Sequence, residues 1–412
     1  MERGTPYEAA LEVLHHLRRN GHEAWLVGGA VRDHILGQDV TTAAELDITT
    51  DAVPERLCAL FRRTIDVGKA FGVVRVGTLG QWTEVATFRS DGEYIDGRRP
   101  TSVHYGSAAE DVQRRDFTAN GVLWNPLNDK VLDLVGGVED IRQRRIRAIG
   151  DARQRLKEDG LRLLRAVRFG SSGDFQLEAS TLEAVRSEQA GIGAVSAERV
   201  RDELVKIATR SASRRGDAML LLRDTGLLQH VLPQSDPAAC AEHATVLDRL
   251  SLREFPLFLA VVLRRNEWAA ASALDAQCAQ VALQLRLSTE EARVLQALLR
   301  SRRRYRGLHA CARARQVLAA TRADATQHED LLQAEGDAAA ALELLSAVRA
   351  QGMSERPLPL IDGKVLQQQG MAAGPRLGHW LRRVRWLQLQ GQLASADDAL
   401  VWLRQRGALN LS

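Results

Sequence analysis

The sequence predicts an α+β protein: a head of mixed strands and helices over residues 1–150, then an all-helical remainder. Three observations predict it. Up to about residue 135, short apolar or alternating runs are separated by turn-rich links, which is how strands read. After Asp151, apolar residues recur at helical spacing and strand signals nearly vanish. The 412 residues are 45% apolar and 26% charged. That is the make-up of an ordinary folded chain of two or three domains, and it excludes a disordered tail, a collagen and a disulfide mini-scaffold.

The elements follow in order. Residues 7–20 place Ala10, Leu11, Leu14 and Leu17 on one helical face, with Gly21 where such a helix stops. A short apolar strand, Glu23–Val27, runs into Gly28-Gly29 and then a helix, Ala30–Leu36. Further strand signals lie at 45–50, 72–79, 83–88 and 131–135, with a turn-rich link over 90–100. Amphipathic helices are predicted over 154–169, 196–210, 214–224, 288–301, 338–350 and 376–390. Residues 351–360 hold two prolines and form the candidate linker. No repeat of fixed period and no low-complexity tract is present.

Composition narrows the function classes. The longest apolar run, Phe255–Leu263, has nine residues, whereas a membrane-spanning helix needs about 20. The first residues carry early charges and no apolar core of the signal-peptide kind. Cysteines stand far apart at 58, 240, 278 and 311, with no Cys-x-x-Cys pair. Structural zinc and a disulfide framework are therefore not expected, and a reducing cytoplasm is. The net charge is +4, a mild basic excess. Lysine supplies only five of the 56 basic residues, at 69, 130, 157, 206 and 364. The arginine excess follows from a GC-rich genome or from the match between guanidinium forks and phosphates.

Five segments carry candidate chemistry. In Leu26–Asp33 a strand meets two glycines at a helix start. Gly28 and Gly29 would let the backbone approach an anion, and Arg32, one turn in, could fork onto a phosphate; a plain strand–helix turn has the same look. In Glu45–Thr50, a strand would put Glu45 and Asp47 on one side and Leu46 and Ile48 on the other. Paired carboxylates are unfavourable without a cation between them, and magnesium takes one or two carboxylates plus substrate phosphates; a solvated strand edge is the other reading. Glu84 could add a third carboxylate from a neighbouring strand. In Arg114–Asn120, Arg115 and Asp116 could grip a ribose and triphosphate, or simply charge a helix start. In Glu158–Phe169, Asp159 and Arg162 stand i,i+3, close enough on one helix to share a plane. Such a pair could accept the amino group and serve the ring acceptor of cytosine or adenine while refusing uracil and guanine; an exposed salt bridge is the alternative. Arg165 and Arg168 continue at steps of three, drifting about 60° each time, so Arg165 can join the site and Arg168 needs help from helix curvature.

In this order, these segments resemble the class II tRNA nucleotidyltransferase and bacterial poly(A) polymerase family. The matching pieces are GGAVRD, ELDITTDAVPE, VATFRSDGEY with the following DGRRP, RRDFTANG, DLVGG (133–137), EDGLRLLRAVRF and SAERVRDEL (196–204). They span residues 26 to about 205, and the tail stretch 371–393 is similar to the C-terminal Gly-Pro-x-x-Gly segment of bacterial members. The resemblance implies a polymerase-beta-like nucleotidyltransferase palm as head (1–150). It implies a helical neck with the base-recognition helix (151–212), a helical RNA-binding body (213–330) and a helical tRNA-binding tail (331–412). It implies that Gly28, Gly29 and Arg32 hold the triphosphate and that Glu45 and Asp47 bind Mg2+ with help from Glu84. Arg115 and Asp116 would meet the ribose side. Asp159 and Arg162 would be the protein template for the base, with Arg165 near the phosphates.

The implied activity is addition of CCA to the 3′ end of tRNA from CTP and ATP without a nucleic-acid template, by two-metal transfer that releases pyrophosphate. The helical part would grip the acceptor and T arms, with Arg302–Arg306 and Arg382–Arg385 as candidate phosphate contacts. A poly(A) polymerase, a partial enzyme adding only CC or only A, and a non-catalytic RNA-binding protein on a degenerate palm are the alternatives. Two departures stand out. The family's first metal carboxylate is usually Asp, here Glu45, and the segment from Gly37 to Glu45 is about three residues longer than usual. The chain has no His-Asp dipeptide, so a phosphohydrolase domain is not expected. The sequence leaves the oligomeric state open.

Overall fold

The computed structural model describes residues 4–68, 72–92, 102–210, 214–264, 271–305, 325–336 and 358–409. The chain divides into two compact units, Met1–Ala244 with Gln284–Arg286, and Thr245–Leu283 with Leu287–Ser412.

The first unit opens with helix α1 (Pro6–Arg19), strand β1 (Ala24–Val27), α2 (Gly29–Ile35), β2 (Asp47–Thr50), α3 (Pro54–Leu60), β3 (Thr64–Gly68), β4 (Val73–Thr78) and β5 (Gln81–Thr87). It continues through β6 (Arg89–Asp91), β7 (Val103–Tyr105), α4 (Ala108–Gln113), β8 (Leu123–Asn125), β9 (Lys130–Leu132), α5 (Gly137–Arg142) and β10 (Arg145–Ile146). Seven strands form one sheet in the order β3-β4-β5-β2-β1-β8-β9. Only β2 and β5 pair in parallel; the other neighbours are antiparallel. All four residues of the central β1 are buried, so this strand reads as a continuous apolar run rather than an alternating one. α1 starts at a capping box in which Thr5 and Glu8 bond each other's backbone amides, satisfying two otherwise orphaned donors. Its Ala9, Ala10, Val13, Leu14 and Leu17 are fully buried, the i, i+4 stripe a helix lays on a sheet, and Thr78 of β4 donates to the Ala9 carbonyl at 3.0 Å.

Helices then take over: α6 (Ala152–Glu158), α7 (Leu161–Gly170), β11 (Gln176–Leu177), α8 (Ala179–Glu188), α9 (Ala197–Thr209), α10 (Arg215–Asp224), α11 (Leu227–Val231) and α12 (Cys240–Arg249). Two expectations need correction. Strand structure does not end at Asp151, because β11 adds in parallel to β10. The helix expected over 154–169 is two helices, broken at Asp159-Gly160. Asp159 has extended backbone angles (φ −145°, ψ 107°), and its Oδ1 accepts the Leu161 amide at 3.1 Å. A Cβ on Gly160 would strike the Gly191 carbonyl oxygen, so the break is where the 189–194 turn packs against the chain and only glycine fits.

The second unit holds α13 (Phe255–Val262), α14 (Ala271–Gln284, ending at the border with the first unit), α15 (Thr289–Tyr305), α16 (Ala325–Glu335), α17 (Gly363–Gln368), α18 (Pro375–Leu389) and α19 (Ala396–Gln405). Its α13 is buried almost all round, and Asp330 of α16 accepts the Ser251 and Leu252 amides at 2.9 and 2.8 Å. A separate core joins Leu366, Val384, Ala399 and Leu403, with Trp380 edge-on to Trp402. Burying Val384 leaves Arg382 and Arg383 exposed beside it. The predicted helix 338–350, Arg306, the side chains of Arg302–Tyr305 and most of the candidate linker lie outside the described residues. Among the described residues, no helix is long and apolar enough to cross a membrane.

Candidate active site

The site is built where central strands end. β1 runs out at Val27, whose register partner is Asp47, and Asp47 in turn pairs with Glu84 on the parallel neighbour β5. Leu46, Ile48 and Val85 are buried, which turns Asp47 and Glu84 to the opposite, exposed side. Gly28 follows β1 in a left-handed conformation (φ +85°), and a Cβ on it would lie 3.7 Å from Asp47 Oδ2. The glycine turn therefore passes directly beside the carboxylate. Desolvation by the surrounding chain, then the charges of Glu84 and Glu45, raise the Asp47 pKa to about 6, against opposing pulls from Arg115 and Arg210.

Glu45 departs from expectation. β2 begins at Asp47, so Glu45 precedes the strand and is not held by its pleat. Its carboxylate accepts from Arg210 Nη2 at 3.0 Å. Among the described residues, no group of three or more His, Cys, Asp or Glu closes around a common metal position. The hard oxygens of Asp47 and Glu84 do fit an ion that takes its remaining ligands from water and phosphates, as magnesium does.

Arg32, one turn into α2, donates from Nη1 to Asn120 Oδ1 and lies over the Phe169 ring, 4.9 Å from its centroid. Desolvation lowers its pKa to about 10, with Arg168 and Arg165 pushing the same way against Asp33 and Asp116; the group stays charged at neutral pH. Asn120 also donates to Asp116 Oδ1 at 3.0 Å, and Arg165 grips Asp116 Oδ2 through Nε at 2.7 Å and Nη2 at 2.6 Å. Burial alone would raise the Asp116 pKa; Arg165, Asn120 and Arg162 outweigh it and hold the group well below the usual carboxylate range. One connected chain, Arg32–Asn120–Asp116–Arg165, thus ties the glycine turn to α7. Asn120 is the member that sequence reasoning missed, although it stands inside the quoted RRDFTANG segment. Arg115 points elsewhere: with Arg114 it clamps the buried Asp111, at 2.7 and 2.5 Å.

Asp159 and Arg162 do not hold each other as the i,i+3 spacing predicts. Asp159 lies in the break before α7 while Arg162 is on α7, and each has another partner. Arg199 of α9 holds both Asp159 oxygens, at 3.1 and 2.7 Å. Arg162 donates to Glu158 at 2.5 Å and to the carbonyls of Arg155 and Arg114 at 2.8 and 2.9 Å. Arg168 is buried against Glu203 of α9 at 2.6 Å and over Phe169. A cleft of about 1000 Å³ lined by Ser90, Gln113, Arg114, Asp151, Arg155 and Glu158 shares Arg114 and Glu158 with this network but none of the glycine-turn or carboxylate residues.

Residues 24–147 match the family model described as the poly A polymerase head domain, and residues 174–239 match the one described as the probable RNA- and SrmB-binding site of polymerase A. The CCA-adding enzyme of Geobacillus thermodenitrificans is 39% identical over 265 residues, 64% of this chain and 62% of that protein. The Bacillus subtilis CCA-adding enzyme is 40% identical over 262 residues, 63% of this chain and 62% of its own. The crystal structure of the Bacillus stearothermophilus CCA-adding enzyme in complex with CTP superposes with a TM-score of 0.79 at 28% identity, over 98% of both chains. Over its head and the segment that follows, the chain is similar to the class II tRNA nucleotidyltransferase and poly(A) polymerase family. In sequence, it spans less than two thirds of the length of the curated relatives it matches. The Thermotoga maritima CCA-adding enzyme complexed with tRNA shares the fold at 18% identity, with a TM-score of 0.67. The head match covers Gly28, Asp47, Glu84 and Asp116, and the second match covers Arg199, Glu203 and Arg210. Asp159 and Arg162–Arg168 fall between the two matched segments.

Proposed function

We propose that this protein adds CCA to the 3′ ends of tRNAs, joining nucleotides from CTP and ATP without a nucleic-acid template. The observation that carries the reading is that Asp47, first residue of β2 and directly beside the Gly28 turn, is in register with Glu84 in the middle of β5. Gly28 and Gly29 would let the triphosphate approach the backbone at the start of α2, and Arg32, fixed by Asn120, would sit one turn behind it as a fork for phosphate oxygens. Asp47 and Glu84, with Glu45 within side-chain reach, would hold Mg2+. When bound, such ions acidify the attacking hydroxyl and stabilise the departing pyrophosphate. Asp116, kept ionised by Arg165, would accept from a ribose hydroxyl, and Arg115 lends positive charge to the carboxylate edge.

The base would be read at the α6–α7 break. Arg199 fixes the Asp159 carboxylate, leaving acceptor capacity at Oδ2 for an exocyclic amino group. Arg162, anchored by Glu158 and the Arg114 carbonyl, would present its guanidinium to the neighbouring ring acceptor. Arg382 and Arg383, exposed on α18, would contact RNA phosphates. The expected place of action is the cytoplasm, where its tRNA substrates would be met.

The test is end-group extension. Transcripts ending before C, after C and after CC are incubated with CTP, ATP or both. Completion of CCA followed by arrest is expected. Long A tracts would replace this reading with poly(A) synthesis, completion of only CC or only A with a partial enzyme, and no incorporation on any acceptor with an RNA-binding protein.

A further inference from the structure

We infer that Arg210 is a displaceable counter-ion of the carboxylate edge, which holds Glu45 until a divalent cation takes it over. The inference rests on the assignment of Asp47 and Glu84 as cation ligands made above.

Glu45 and Arg210 stand 165 residues apart and meet at 3.0 Å. Arg210 follows the last turn of α9 with extended backbone (φ −67°, ψ 138°), so its side chain leaves from the helix end. Its charge also acts on Asp47. The backbone around Glu45 is anchored independently of the pair. Val40 and Leu46 are buried on either side of it, and Asp39 accepts from the Thr41 amide and hydroxyl at 2.9 and 2.7 Å. Exchange of partners therefore needs only rotation of the Glu45 side chain, and glutamate's extra methylene supplies the reach from a position outside the strand. The pair is also cheap to break. Arg210 is 48% and Glu45 77% exposed, and ion pairs this open to water are weak and salt-screened. A divalent ion seated between Asp47 and Glu84 carries twice the charge of the guanidinium and takes carboxylate oxygens directly into its coordination shell. The guanidinium and the ion thus compete for the same carboxylate, and the cation-free edge is spared the repulsion of three unneutralised groups.

Mn2+ binding to the full chain, followed by the electron-spin-resonance signal of the free ion without nucleotide, tests this. Arg210→Gln should bind Mn2+ roughly fivefold more tightly than the parent, as expected for loss of one competing unit charge a few ångströms away. Arg210→Lys, which keeps the charge, should stay within about twofold of the parent on the same argument. Asp47→Asn should lose the site. Unchanged or weaker binding in Arg210→Gln, with Asp47→Asn still defective, overturns the counter-ion role alone. Equal binding by the parent and Asp47→Asn overturns the carboxylate assignment and this inference with it.

Discussion

Arginine–carboxylate chemistry is used in opposite ways at the sheet edge and in the layer of α7 and α9. At the edge, Asp47 is desolvated by the surrounding chain and crowded by Glu84 and Glu45, and the charges of Arg115 and Arg210 do not offset this. The result is a carboxyl whose pKa climbs to about 6. In the helical layer, Asp116 and Glu203 are almost fully buried, yet each is matched by arginine, and their pKa values fall. Burial disfavours a charge in both places, so the difference lies in who supplies the counter-charge. Where the chain supplies it, the pair braces the fold. Where the chain leaves it short, the proposed Mg2+ would complete it.

That contrast can be broken most sharply at Asp47. Asp47→Asn should lower the single-turnover rate of CTP incorporation by roughly 10³-fold, the scale of losing a metal-based stabilisation of the transferring phosphoryl group. Its melting temperature should be unchanged or higher, because one crowded carboxylate is gone. The buried pair should behave in the reverse way. Glu203→Ala strands Arg168 in the interior and should cost about 3–5 kcal/mol of stability, measured by urea unfolding. Replacing both partners with apolar side chains (Arg168→Met with Glu203→Leu) should recover most of that. A cost under about 1 kcal/mol for Glu203→Ala would place the pair among weak surface contacts and remove the contrast.

The smallest effect sharpens it further. The folded-state pKa of Asp47 lies above its usual 3.8, so the cation-free protein binds an extra proton between about pH 4 and pH 6. The stability contributed by Asp47 is therefore present at low pH and lost as pH rises through about 6. Cation affinity should run the other way, falling about tenfold per pH unit below 6, because a hard cation binds only the ionised form. Asp47→Asn should flatten the stability profile between pH 4 and pH 6.

Much of this was legible in the residues, for reasons that also explain what was not. The Gly-Gly turn announces itself because a left-handed residue after a buried strand demands glycine, and Asp47 followed from alternation along ELDITT. The same alternation misplaced Glu45, since pleating fixes a face only once the strand has begun, and β2 begins two residues later. The apolar spacing of 154–169 runs smoothly through a helix break, because Leu156, Leu163 and Leu164 all reach one core. Asp159-Gly160 was the local sign of that break, a side chain able to cap followed by the one residue that tolerates close backbone approach. The partners Arg199 of Asp159, Glu203 of Arg168 and Arg210 of Glu45 come from α9 or its end, 35 to 165 residues away. No local pattern encodes pairings at that separation; they arise when α9 packs on α7.

The most direct test of the account is the position of the cation itself. Crystals of the full chain soaked with Mn2+ and CTP would be read by anomalous scattering at the manganese edge. A peak bridging the carboxylates of Asp47 and Glu84, beside the Gly28 turn, is the predicted result. A peak that leaves Asp47 uncoordinated, or no bound manganese alongside clear CTP density, would contradict it.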